Sequence, residues 1–202
     1  PDSGIALATT ADGERRTREC FGDRVLWVPW RRPGFQLGLD IARIAEENPD
    51  AIGVVLGGHG ITAWAQTSRQ CQANSLEIIR TAERFIEDNG RPEPFVPALE
   101  GYGALPEPER RERAAALAPV LRGLASTDHP QVGHFTDDDV ILDFLASTEH
   151  PRLAALGTSC PDHFLRTKVR PMLLDLPADA PLERVVARLR ELHREYRSDY
   201  RA

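Results

Sequence analysis

The sequence contains a single lysine, Lys168, although it is rich in arginine. Covalent catalysis through a lysine amine, as in Schiff-base enzymes, therefore has one candidate residue in the whole chain. A lone lysine in an arginine-rich chain is more typical of a surface position or of a residue that binds an anion. The composition thus gives little support to an enzyme that depends on a lysine amine.

Cysteine is also scarce. The three cysteines, Cys20, Cys71 and Cys160, are odd in number and widely spaced, so neither a disulfide framework nor a zinc ribbon fits. Reduced thiols in the cytoplasm are the default for such a pattern. Cys160 has no obvious base placed to activate it, and we expect an inert thiol.

Long apolar runs and basic surfaces are missing as well. No stretch approaches the roughly 20 apolar residues of a membrane span, and no leader pattern marks secretion. Asp and Glu number 31 against 25 Lys and Arg, which gives a net charge of −6. Because nucleic-acid surfaces need a basic face, we expect no nucleic-acid partner, no membrane association and a cytoplasmic location.

The 202 residues suit one domain, or one domain with a substantial extension. An apolar, β-branched run over 51–56 predicts a fully buried strand. Shorter strands are predicted over 25–29 and 61–64, and a further one is considered over 172–176. Helices are predicted over 14–21, 34–47, 68–89, 109–124, 137–145 and 181–200, and residues 3–10 are interpreted as a helix of small residues or a buried segment. The 68–89 helix is capped by Thr67 or Ser68. Its predicted apolar face consists of Cys71, Leu76, Ile79, Ala82 and Ile86.

A glycine-rich stretch, Gly57-Gly58-His59-Gly60, directly follows the buried strand. With the next residues it matches the dinucleotide pattern GxGxxG/A, but that motif should itself open a helix. The next helix is predicted to begin only near Ser68, which disfavours a nicotinamide site. The alternative interpretation is that glycines let His59 face a cleft at the mouth of the strand. A histidine that only completes a turn hydrogen bond is equally compatible with the pattern.

Several motifs resemble one family. Residues 54–64, Val-Val-Leu-Gly-Gly-His-Gly-Ile-Thr-Ala-Trp, look like the third metal-ligand segment of the class II aldolase/adducin family. Residues 27–35 are similar to the strand, turn and helix that precede this histidine in rhamnulose-1-phosphate aldolases. The stretches 133–137 and 159–168 resemble the branch in which an aldolase domain is fused to a C-terminal short-chain dehydrogenase. The resemblance covers nearly the whole chain.

The resemblance implies an α/β fold: a three-layer α/β/α sandwich of the class II aldolase type with a mostly helical C-terminal extension. Residues 1–100 would form the C-terminal part of the aldolase-like domain. Residues 101–202 would form a family-specific extension that leads to an absent dehydrogenase domain. Members of the family are usually cyclic tetramers with sites at subunit interfaces, which implies a homo-oligomer.

The resemblance also implies zinc held by three histidines. Zinc would polarise the carbonyl of a phosphorylated ketose and stabilise the enediolate formed on carbon–carbon cleavage. The implied reaction converts L-rhamnulose 1-phosphate to dihydroxyacetone phosphate and lactaldehyde, and NAD is expected only in the absent domain. His59 is the one metal ligand placed in this chain. The other two would belong to a His-x-His pair ending immediately before residue 1, so we expect this fragment alone to be inactive.

Other site residues are less defined. No catalytic acid or base is assigned, although Glu19 and Asp23 lie in the interval where some aldolases carry a second acid. Arg31 and Arg32 could bind a substrate phosphate, because guanidinium groups suit that geometry. The alternative for both arginines is a solvated surface position.

The three tryptophans, Trp27, Trp30 and Trp64, all flank the predicted site. They could stack on a sugar or pack in the core. His163, next to Asp162, could belong to an anion site, a seam with the absent domain or a purely structural turn. The Asp137–Asp139 run is interpreted as a helix start rather than a metal cage, because acidic residues suit a helix N-terminus.

Two other functions remain open on the sequence. One is a non-catalytic, adducin-like assembly module that keeps the fold without a metal. The other is a related class II enzyme that epimerises or dehydrates a sugar phosphate. The resemblance favours the aldolase over both.

Overall fold

The structure is a computed structural model that describes residues 2–93, 95, 97–100, 103–160, 163 and 165–200. The chain divides into two compact units. The first comprises residues 1–92 and 158–169, and the second comprises residues 93–157 and 170–202. Within the described ranges, none of the helices combines the length and the apolar character that crossing a bilayer requires.

The first unit contains a small mixed sheet with helices packed against it. Its elements are α1 (Asp2–Thr9), α2 (Gly13–Phe21), β1 (Val25–Val28), α3 (Phe35–Glu47), β2 (Gly53–Leu56), β3 (Gly60–Ala63) and α4 (Ser68–Asn89). The strand order is β1-β2-β3. β1 runs parallel to β2, and β2 runs antiparallel to β3. The helices and strands predicted for this part of the sequence are confirmed to within about two residues.

The central strand β2 is buried at all four positions, as its apolar run predicts. Val55 packs with Val25 and Ile78 in one cluster, and Val54 packs with Val28 and side chains of α3 in another. Because successive side chains of a strand point to opposite faces, helices cover both faces of the sheet. The arrangement shows a mixed α/β fold with a small sheet, and the complete three-layer sandwich stays a prediction.

Helix α4 packs on the sheet through Asn74, Ile78 and Ala82, which are buried. Its N-terminus is capped as predicted, because the Thr67 hydroxyl oxygen accepts a backbone N–H at 3.2 Å. The apolar face predicted for this helix is wrong at Leu76, which is 42% exposed. Leu76 lies two residues, or about 200°, from Ile78 around the helix, so the two side chains cannot share a face.

The second unit is helical. Its elements are α5 (Glu107–Ala125), α6 (Asp139–Ala146), α7 (His150–Leu156) and α8 (Leu182–Asp199). Ala180, Val185 and Leu189 form its buried cluster. The three predicted helices of this part, over 109–124, 137–145 and 181–200, are confirmed.

The strand considered over 172–176 is wrong. Met172, Leu174 and Leu176 pack against the cluster around α8, which explains why apolar residues alternate there. No strand in the described part of the second unit pairs with this segment. The alternation of apolar and polar residues in this segment therefore reflects packing on helices. It does not indicate a strand, which would need a neighbouring strand for its hydrogen bonds.

The acidic run before α6 behaves as a helix start. Asp138 is the residue that precedes the helix, and Asp139 is its first residue. Asp137 pairs with Arg110, with 2.9 Å between its carboxylate oxygen and the arginine Nε. The run therefore lies at the start of α6, as predicted.

The C-terminal helix α8 binds Arg170, which precedes the 172–176 segment. The Tyr196 hydroxyl donates to the Arg170 carbonyl oxygen at 2.6 Å, and the Arg170 guanidinium pairs with Asp199 at 2.9 Å. Burial, followed by the hydrogen bond with Tyr200, raises the pKa of Tyr196 to about 12. The hydroxyl therefore stays a donor at neutral pH.

Candidate functional site

The glycine-rich stretch forms the tight turn of the β2–β3 hairpin, in which Leu56 pairs with Gly60. The backbone N–H groups of residues 57, 58 and 59 donate to the carbonyl oxygens of Val28, Ala8 and Leu56 at 2.8, 2.7 and 2.9 Å. None of these three groups is left to cradle a phosphate, and the turn leads into a strand. A dinucleotide-binding loop, which opens a helix, does not fit this geometry.

Gly58 has a backbone that requires glycine. Its φ is +73°, in the left-handed region, and a Cβ there would lie 2.6 Å from Cδ1 of Trp30. A side chain at this position would strain the backbone and push the indole away. The turn therefore depends on Gly58 both for its conformation and for its contact with the 29–34 loop.

We expect Gly58→Ala to destabilise the first unit by about 1–2 kcal/mol, the cost of a left-handed backbone for a residue with a Cβ. The matched control is Gly38→Ala within α3, where nothing lies within 4 Å of the added Cβ. That change should stabilise by about 0.5–1 kcal/mol, because alanine favours a helix. Urea unfolding followed by tryptophan fluorescence measures both. Effects of the same sign would contradict the geometry of the turn.

His59 lies in this turn with its ring partly exposed. Its Nε2 atom is 3.0 Å from the carbonyl oxygen of Arg31. Because a carbonyl oxygen only accepts, Nε2 carries the proton, and the lone pair of the neutral ring is on Nδ1. Metal-binding histidines commonly donate their second N–H to a backbone carbonyl, which fixes the ring. His59 therefore fits one position of a metal site, and its hydrogen bond also completes the turn.

Among the residues that the structure describes, no three His, Cys, Asp or Glu residues come together, and the other ligands predicted for His59 stay a prediction. Helix α1 packs beside the turn that carries His59. The Ala8 carbonyl oxygen accepts the Gly58 N–H, and Ile5 lies 3.9 Å from the position that a Cβ on Gly60 would take.

The two candidate phosphate ligands differ in their surroundings. The Arg31 guanidinium pairs through Nε with the Asp40 carboxylate on α3. A guanidinium has five N–H groups, and within the described part of the chain Asp40 is the side chain that pairs with this one. Arg32 follows it with an exposed side chain. Both lie in the loop that contacts the turn, and their predicted role stays a prediction.

The three tryptophans differ in whether they pack in the core. Trp27 packs with the cluster around Val55, and Trp64 packs with the cluster around Val54. Core packing therefore accounts for both. Trp30 is 64% exposed beside the turn, and packing in a core does not account for it.

The candidate acids lie on or after α2. Glu19 pairs with Arg15 one turn away, at 2.5 Å, and Asp23 is exposed after the helix. None of the contacts between described residues joins either carboxylate to His59. The catalytic acid and base therefore stay unassigned.

Neither Cys20 nor Cys160 is suited to nucleophilic chemistry. Burial raises the pKa of the Cys20 thiol to about 11, so the thiol stays protonated at neutral pH, whereas the thiolate is the nucleophile. Cys160 is buried. Both observations agree with inert thiols.

The His163 segment shows fewer features of a site. His163 is exposed, and its neighbour Asp162 lies outside the described residues. Arg170, at the end of the segment, is held by Tyr196 and Asp199. An anion site at 162–170 stays a prediction.

Two groups that build the site carried no signal in the sequence. The carbonyl oxygens of Arg31 and Ala8 orient the His59 ring and the turn, and every residue has such a carbonyl. Trp30 was recognisable as an aromatic residue near the histidine, but its exposure depends on the fold.

Comparison with known proteins gives two family matches. Residues 2–86 match the family described as Class II Aldolase and Adducin N-terminal domain, and residues 112–202 match Aldolase class II, second domain. The chain is also 35% identical over 176 residues to a Bacillus subtilis (strain 168) protein named "Uncharacterized oxidoreductase YuxG". The aligned stretch covers 87% of this chain and 25% of that protein, so the chain spans about a quarter of the relative's length. No solved structure matches the chain.

Proposed function

We propose, on the premise that the chain carries domains of the class II aldolase and adducin family, that it is the aldolase portion of a metal-dependent lyase. The substrate class is a phosphorylated ketose, and the specific substrate is L-rhamnulose 1-phosphate. Its retro-aldol cleavage yields dihydroxyacetone phosphate and lactaldehyde. The observation that carries the proposal is His59, whose ring is oriented in the β2–β3 turn by the Arg31 carbonyl oxygen and keeps the lone pair of Nδ1 for a metal.

His59 would hold zinc through Nδ1 while the Arg31 carbonyl keeps its ring oriented. When bound, zinc would act as a Lewis acid towards the ketose carbonyl. Arg32, and the other N–H groups of Arg31, would bind the phosphate group.

The proposed whole protein is longer than this chain. A relative described as an oxidoreductase, of which the chain spans about a quarter, supports fusion to an NAD-dependent dehydrogenase domain. In this proposal residues 1–100 complete the aldolase domain, and residues 101–202 connect it to the dehydrogenase. A cytoplasmic homo-oligomer, a tetramer by family analogy, belongs to the same proposal.

The second candidate is a non-catalytic, adducin-like assembly module. It is favoured by the hydrogen bond of His59, which would stabilise the turn even without a metal. A class II epimerase or dehydratase acting on a sugar phosphate would use the same residues as the aldolase. Metal content separates the first alternative from the aldolase, and product analysis separates the second.

The test uses the full-length protein. We expect about one zinc per subunit, measured by atomic absorption, since one three-histidine site binds one ion. Cleavage of L-rhamnulose 1-phosphate should stop on chelation and return when zinc is added. Absence of zinc from an intact oligomer would support the assembly module. Zinc with a different sugar-phosphate product would support the epimerase or dehydratase.

A further inference from the structure

Trp30 is an exposed aromatic residue that the core does not explain. The other two tryptophans fill the clusters on the two faces of the sheet. Trp30 leaves 64% of its surface in solvent, although an indole is among the most favourable side chains to bury. Its position beside the turn therefore calls for another role.

The glycine turn holds one edge of this indole. A Cβ built on Gly58 would lie 2.6 Å from Cδ1 and 3.3 Å from Nε1 of Trp30. The five-membered ring thus rests on the backbone of the turn, where no side chain separates the two. One edge is held, while 64% of the surface of Trp30 is exposed in the described part of the chain.

A second contact joins the loop that carries Trp30 to the glycine turn, and it involves the next residue of each, Arg31 and His59. The His59 ring donates to the Arg31 carbonyl oxygen at 3.0 Å. Trp30 and Arg31 thus lie opposite Gly58 and His59, and consecutive Cα atoms are about 3.8 Å apart. Two contacts between adjacent residues therefore bring the backbone of the Trp30 segment against the turn that carries His59.

We infer that the exposed face of Trp30 is a stacking platform for the carbon chain of the phosphorylated ketose. The inference rests on the proposed function. The C–H groups of a sugar chain form an apolar surface that packs on an aromatic ring. A hydroxyl group directed at the ring would lose hydrogen bonds with water. Trp30 therefore favours a substrate with a deoxy, methyl-bearing tail over its hydroxylated analogue.

The charges around the platform suit the other end of such a substrate. Arg32 has an exposed side chain, and Arg31 has four N–H groups besides the Nε–H that pairs with Asp40. A guanidinium matches the geometry of a phosphate. Trp30 is followed directly in the chain by these two arginines, and this combination suits an anionic molecule with a hydrophobic carbon segment. In this arrangement Trp30 determines specificity and takes no part in the bond cleavage.

The kinetic test compares Trp30→Ala, Trp30→Phe and the core control Trp64→Phe in the full-length protein. We expect Trp30→Ala to raise KM for L-rhamnulose 1-phosphate about tenfold, equivalent to about 1.4 kcal/mol, with a much smaller change in kcat and zinc content. L-fructose 1-phosphate is the analogue with a terminal hydroxyl group. In Trp30→Ala the ratio of kcat/KM for L-rhamnulose 1-phosphate to kcat/KM for this analogue should fall. Trp30→Phe should keep KM and the substrate preference close to those of the unchanged protein, because it retains an aromatic ring. Trp64→Phe should leave KM unchanged.

A binding measurement makes the test independent of turnover. L-rhamnulose 1-phosphate added to the zinc-stripped protein should shield tryptophan emission from acrylamide, and Trp30→Phe should abolish that shielding. Cleavage with an unchanged KM in Trp30→Ala would overturn the platform alone. Absence of both cleavage and shielding would overturn the platform together with the proposed function. Shielding without cleavage would support the platform and contradict the lyase.

Discussion

His59→Ala in the full-length protein is expected to lower zinc affinity by at least about 100-fold and to reduce cleavage of L-rhamnulose 1-phosphate to background. Loss of a residue that only orients a ligand costs 10–100-fold in metal affinity, so loss of the ligand itself should cost no less. Zinc competition against a chromogenic chelator measures the affinity. Release of dihydroxyacetone phosphate measures the cleavage.

The matched control for this change is His129→Ala. His129 is exposed and belongs to the second unit, so its loss should alter neither zinc affinity nor cleavage. Circular dichroism checks that both variants fold. A folded His59→Ala protein that keeps its zinc and its activity would remove the basis of the proposed metal site.

Ile78→Ala is expected to cost the first unit about 2–5 kcal/mol of unfolding free energy, the usual range for truncating a buried isoleucine to alanine. Ile78 is 1% exposed and packs with Val25 and Val55. A Cβ on Gly53 would lie only 2.6 Å from its Cδ1 atom. The side chain thus fills the space between α4 and the sheet, and its loss leaves a cavity there.

Urea unfolding followed by tryptophan fluorescence measures this cost, because all three tryptophans lie in the first unit. The control is Leu76→Ala on the same helix, where the side chain is 42% exposed. That change should stay within about 0.5 kcal/mol. Equal costs at both positions would show that α4 packs through a different face.

The face of α4 marks a limit of prediction from sequence. Its length, its cap at Thr67 and its end were all predictable, because caps and helical periodicity depend on neighbouring residues. Asn74 was not predictable as a buried residue. Its side-chain amide donates to the Trp64 carbonyl at 2.8 Å, and its oxygen accepts from Gln70 at 2.9 Å. These partners make a polar residue acceptable on the buried face, where Leu76 had been expected.

The segment 172–176 shows the same limit for strands. Its alternating apolar residues satisfy the pattern of a strand, but a strand also needs a neighbour that supplies hydrogen bonds. Here the alternation serves packing against helices. The pattern of apolar residues is a good predictor of which side chains are buried. It is a poorer predictor of which element, a strand or a helix, packs against them.

Local periodicity and the chemistry of glycine were enough to predict the buried strand β2, the order of helices and strands around it, and the turn that carries His59. Tertiary structure alone decided which tryptophan is exposed, which carbonyl orients the imidazole and which face of α4 meets the sheet. These properties depend on residues far apart in the chain. In addition, a backbone carbonyl that binds a side chain leaves no mark on the sequence.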